Sequence, residues 1–125
     1  MSKAVASRRK DSRTLRAEVR ESSARINAGA AAVGVEMARA LCPVSNESKP
    51  VHLVDTISFE VDEKTGGATM IAGDPERGVD YVLDVEFGHH TASGSYVPGR
   101  LFFVSGVEVA KEEGKRQAEV RKPRG

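Results

Sequence analysis

The sequence predicts an α+β chain: a long helix, then strands joined by tight turns, then a closing helix. Three observations carry that prediction. Leu15, Val19, Ser22, Ile26, Ala30, Val33, Met37 and Leu41 recur at steps of three and four, the spacing of one helical stripe. The stretch VHLVDTISFEV alternates apolar with polar side chains, the spacing of a half-buried strand. The last stretch, from Phe102, gathers Lys and Arg toward its end, where a helix dipole favours cations.

Residues 1–11 read as a basic, flexible N-terminal arm, and Asp11 or Ser12 can cap a helix over 12–41. Pro43 disfavours the helical conformation at Cys42, so the helix stops near Leu41. At ~1.5 Å per residue it would be a rod of about 45 Å. Gly29 and Gly34 each weaken it by roughly 1 kcal/mol relative to Ala, and with AGAAA they leave a thin side. That side suits either the approach of another backbone or plain core packing.

A polar connector, SNESKP, precedes a sheet expected over 51–73. Val51, Leu53, Ile57, Phe59 and Val61 fall on one side, His52, Thr56, Ser58 and Glu60 on the other, and only Asp55 breaks the alternation. DEKTGG is a hairpin turn, ATMIAG the returning strand and DPERG a second turn. VDYVLDVEFG, which holds a short helix or strand over 79–87, is ambiguous: Val79, Tyr81, Leu83, Val85 and Phe87 alternate as in a strand, yet two pairs stand four apart and Gly88 could end a short helix. The pattern alone favours the strand. Residues 89–99 read as a loop, a helix begins at about Phe102, and 111–125 form a charged tail.

A chain of 125 residues is one domain with tails. Four Phe, two Tyr and no Trp are thin stock for an autonomous core, so part of the stability is expected from assembly. The net charge of +1 hides an uneven distribution. Residues 1–25 hold eight basic groups against three acidic, residues 111–125 six against three, and the body between them five against twelve. Basic ends on an acidic body suit acidic partners or non-specific contact with DNA, with Arg8, Arg9 and Lys10 the candidate DNA-facing residues. The single cysteine, Cys42, excludes an internal disulfide and a cysteine-rich zinc site. No signal peptide or membrane span is expected, because MSKAVASRRK lacks an apolar core and AGAAAVGV is too short.

Candidate chemistry is sparse. His89 and His90, with Asp84 and Glu86 upstream and His52 elsewhere, are the best metal candidates, but adjacent histidines on an extended chain point to opposite sides. Ser93 and Ser95 flank Gly94 without the strand–turn–helix context of a nucleophile elbow. Asp84 and Glu86 would share a strand face about 7 Å apart, open to a paired-carboxylate reading. Gly66-Gly67 lacks the Gly-Lys-Ser/Thr of a phosphate loop. The expectation is a non-enzyme without cofactor or metal, and a small metal-dependent hydrolase using Glu86, His89 and His90 is the distant alternative.

Three segments carry a resemblance. They are CPV (Cys42–Val44) leading to HLVDTI (His52–Ile57), then YVLDVEFGHH (Tyr81–His90), then GRLFFVSGVE (Gly99–Glu108). In this order, across residues 12–113, the chain resembles the minor head–tail joining, or neck and tail-completion, proteins of tailed phages and prophages. The family's Asp-Thr-Gly after Pro-Val is replaced by SNESKPV, and Leu101, Ser105 and Gly106 stand where prolines are usual. The resemblance implies a long N-terminal helix packed on a small antiparallel sheet, with a short helical turn rather than a strand at Tyr81–Phe87. It implies a virion protein, assembled in the host cytoplasm, forming a homo-oligomeric ring between portal-side and tail-side neighbours; a tail-terminator ring is the alternative. Under that reading Val85, Glu86, Phe87, Gly88, His89, Ser93, Gly94, Tyr96 and Arg100 form the subunit interface, Glu86 pairing with Arg100 or an arginine of the long helix. Leu53, Ile57, Phe59, Tyr81, Phe102 and Phe103 anchor the core, and Phe87 joins the last two at the sheet–helix junction.

Overall fold

A computed structural model describes residues 3–7, 14–20, 24–44 and 50–121. The α+β class holds. Strands β1 (Lys3–Ser7) and β2 (Leu15–Arg20) precede helix α1 (Ala24–Leu41), followed by β3 (Ser58–Val61) and β4 (Ala68–Ala72). A short helix α2 (Val82–Phe87) leads into the hairpin β5 (Gly88–His90) and β6 (Tyr96–Pro98), and α3 (Phe102–Arg121) closes the chain. The main sheet has the order β1-β2-β4-β3 with every neighbouring pair antiparallel.

Register makes the sheet two-faced. Ala17 pairs with Met70, which also pairs with Phe59, and Leu15, Ala17, Val19, Ala68, Met70 and Ala72 are all buried. Arg16, Glu18, Thr69 and Glu60 occupy the alternate positions, where Arg16 reaches Glu60 at 3.9 Å. Helices α1 and α3 contact the sheet and each other, giving two layers around one core.

The helices run antiparallel, since Gly34 meets Gly106 and Ala110 while Gly106 meets Gly34 and Ala38. A Cβ on Gly34 would sit 2.6 Å from the carbonyl oxygen of Gly106, and one on Gly106 would sit 2.5 Å from that of Gly34. The backbones touch because neither crossing residue has a side chain, and the end of Met70 fits beneath. The thin side of α1 thus receives a helix of the same chain. Asn27 ties the start of α1 to the β3–β4 turn by donating from Nδ2 to the Gly66 carbonyl.

Several expectations are corrected. Residues 15–20 form a strand, not the first turns of a helix over 12–41. Leu15 and Val19 stand four apart and fit both periods, but Ala17 is buried with them while Glu18 is exposed, a period of two. The supposed flexible arm contains β1, paired with β2 from Lys3↔Arg20 to Ser7↔Arg16. The caps Asp11 and Ser12 and the candidate DNA-facing Arg8, Arg9 and Lys10 lie outside the described residues. On α1 the buried face comprises Ile26, Asn27, Ala30, Ala31, Gly34, Val35 and Ala38, so Val33, Met37 and Leu41 of the predicted stripe turn outward. Small residues win the inner face because α3 comes so close.

The strand expected from Val51 begins only at Ser58, because Leu53–Thr56 coil into a 3-10 turn. Asp55, the residue that broke the alternation, accepts the His52 N–H at 2.9 Å. Thr56 donates its hydroxyl to the Leu53 carbonyl at 2.7 Å and accepts the Gly73 N–H at 2.8 Å. The loop over 89–99 contains β5 and β6, paired from Gly88↔Pro98 to His90↔Tyr96. The charged tail is helical as far as Arg121, and Gly114 within it is buried. Leu53, Ile57, Phe102 and Phe103 are buried as expected, each fully buried ring contributing about 1.5–3 kcal/mol, while Phe59 and Tyr81 pack half-buried at the edge.

Candidate functional site

Helix α2 buries Val82 and Glu86, four apart on one face, which places a carboxylate in an apolar wall. Among the described residues its partners are backbone amides, not a side-chain cation. Oε1 accepts the Phe103 N–H and Oε2 the Val104 N–H, each at 2.8 Å. These are the second and third residues of α3, whose amides have no partner within the helix and carry the positive end of its dipole. Glu86 therefore caps a helix that begins 16 residues later in the chain. Burial pushes its pKa up, against the two amide hydrogen bonds that pull it down.

The backbone completes a clamp. The Val85 carbonyl accepts the Arg100 N–H at 2.8 Å, and the Glu86 carbonyl accepts the Leu101 N–H at 3.1 Å. Leu101 is held at φ 48°, the one non-glycine residue at positive φ among those described. Its carbonyl accepts both the N–H of Ser105, at 3.1 Å, and the Ser105 hydroxyl, at 2.7 Å.

From this base the β5–β6 hairpin projects. Gly88 turns the chain at φ 89°, and a Cβ there would collide with the Tyr96 hydroxyl and the Val97 carbonyl. Tyr96 donates its hydroxyl to the Phe87 carbonyl at 3.2 Å, and its ring lies 5.2 Å from that of His90. The turn closes through Thr91 N–H to Ser95 and Gly94 N–H to Thr91. Phe87 (40%), Tyr96 (56%), Val97 (40%) and Leu101 (47%) all remain exposed at or beside it.

A second surface lies along the two helices. Val33 of α1 and Val109 of α3 floor a groove of about 640 Å³. Glu108, Glu112, Glu113 and Glu119 line it with Lys115 and Arg116, and Arg116 is bound to Glu113 at 2.5 Å. The groove is apolar beneath and acidic at its rim.

The candidate residues are thereby sorted. Glu86 is fully buried, which corrects the expectation that it reaches a neighbouring subunit through Arg100 or an arginine of α1. Gly88 shapes the base of the hairpin, Val85 and His89 are half-buried, and Ser93, Gly94, Tyr96 and Arg100 are exposed. Phe87 is no core anchor, since α2 ends with it facing outward. Asp84 and Glu86 do not share a face: on a helix two residues apart they diverge, one exposed and one buried. Glu86, His89 and His90 do not converge, and among the described residues no group of three His, Cys, Asp or Glu side chains could hold a metal ion. Among the described residues no helix is long and apolar enough to cross a membrane.

Sequence reasoning missed the groove and the conformation of Leu101. Four-residue spacing of Val33, Met37 and Leu41 is equally that of an outer stripe, and positive φ at a leucine leaves no compositional trace. Comparison with known protein-family models, with curated proteins and with solved structures finds no match.

Proposed function

We propose that this chain is a structural subunit of a tailed-phage particle that closes into a ring at the head–tail junction, with the genome passing through its centre. The reading rests on the resemblance and on one observation that supports it. The two most specific segments of that resemblance, the Val-Glu-Phe-Gly block and the Phe-rich approach to the last helix, build a single device. Glu86 locks the start of α3, and the locked base holds out a hairpin bearing exposed apolar side chains. An isolated two-stranded hairpin is marginal in water, so one displayed in this way is suited to being covered by a partner. A ring formed head to tail needs two different, complementary surfaces on each copy.

The test is the mass of the purified chain in solution, with negative-stain images of the particles it forms. A single closed annulus is the expected result, and a strictly monomeric species at every concentration would overturn the reading. Gold labelling of the protein in intact virions should mark the neck; label at the end of the tail tube would reassign it as a tail terminator.

A further inference from the structure

We infer that the two surfaces described above are the two halves of one contact: the β5–β6 hairpin of one copy seats in the α1–α3 groove of the next. The inference rests on the ring reading and adds to it which residues meet. From Gly88 to Leu101 the hairpin segment holds no acidic residue but carries the cation Arg100, with Tyr96 and Val97 exposed on β6. The groove offers the opposite in each respect: an apolar floor at Val33 and Val109 and a rim with an excess of glutamates. Apolar side chains meet an apolar floor, and a cationic segment meets an anionic rim, so hydrophobic burial and long-range attraction act in the same sense.

Position along α3 makes the contact intermolecular. The hairpin stands at the N-terminal end of α3, whereas the groove runs beside Glu108 to Glu119. The hairpin is pinned at its base by Gly88 and Gly99, where a Cβ on Gly99 would strike the Glu86 carbonyl, and β6 is exposed throughout. One chain therefore presents both surfaces free. The contact is heterologous and repeats from copy to copy until it closes.

Two full-length variants test this. Tyr96→Asp/Val97→Asp spoils the hairpin and leaves the groove intact, while Val33→Asp spoils the groove and leaves the hairpin intact. All three positions are exposed, and circular dichroism with thermal melts checks the fold of each variant. Each alone should remain monomeric at concentrations where the parent chain assembles. Mixed in equal amounts they should form a dimer of one copy of each and nothing larger, because only one intact hairpin and one intact groove remain to meet. As an independent measure, a Val97→Cys chain mixed with a Glu112→Cys chain should form an interchain disulfide that a Glu76→Cys chain does not. Variants that still assemble like the parent, a mixture that stays monomeric, or no selective cross-link would each overturn the hairpin-in-groove contact and leave the ring standing. A parent chain that never self-associates would overturn both.

Discussion

At the scale of single residues, Glu86 concentrates the most consequence. Glu86→Ala leaves two amides of α3 without acceptors in a closed wall, so equilibrium urea unfolding should show a loss of about 2–4 kcal/mol. The carboxyl also links stability to pH. Its folded pKa is raised, so the native state holds the proton more tightly than the unfolded chain, whose value is about 4.3. The stability tied to this group is whole below that value and is lost as pH rises through the raised folded one. A Glu86→Gln chain cannot ionise there, so its stability difference from the parent should change across that window; parallel profiles would remove Glu86 as the cause. Cys42 shares the neighbourhood: burial first, and the charge of Glu86 second, push its thiol up to about 11. Native protein should accordingly react slowly with a thiol reagent at pH 8, and urea-unfolded protein fast. Leu101→Gly should relieve the positive φ and raise stability by up to about 1 kcal/mol, since the leucine side chain is half exposed. The capping role of Glu86 was not legible in the sequence. The partners of Glu86 are backbone amides 17 and 18 residues away, which carry no side-chain signature.

At the scale of elements, the crossing of α1 and α3 gives the sharpest prediction because two glycines of one helix should respond in opposite ways. Gly29→Ala meets nothing within 4 Å and should stabilise by up to about 1 kcal/mol through helix propensity alone. Gly34→Ala gains the same propensity but drives a methyl into the Gly106 carbonyl and the Ala110 side chain, overpacking that costs typically ~1–3 kcal/mol, so the net effect is destabilising. Thermal melts of the two variants should therefore move apart; equal shifts would mean the helices do not touch there. Where periodicity was long and turn chemistry strong, elements were legible: α1 with its stop at Leu41, though not its start at Ala24, and the β3–β4 pair around its Asp62–Gly67 turn. Where two periods fitted the same few residues, composition could not decide. Leu15 and Val19 serve a strand as well as a helix, and at 82–87 alternation pointed to a strand while the resemblance pointed to the helix that forms. The pair that settles α2, Val82 with Glu86, contains a carboxylate that no hydrophobic pattern would count as buried.

At the scale of the whole molecule, both layers depend on pairings between distant parts of the chain. Strand β2 lies between β1 and β4, so its second neighbour comes from beyond α1, and the inner face of α1 is closed by α3. Such non-local closure slows folding relative to local contacts. The bare crossing at Gly34 and Gly106 sets the order of events during synthesis. Ala30, Ala31 and Ala38 leave the ribosome long before their cover does, and at ~5–20 residues per second that delay lasts several seconds. During it a sticky, small-residue ridge stands naked in a crowded cell. A message cut short after Gly99 should yield insoluble product, and the complete chain should lean on a holding chaperone until its last helix emerges.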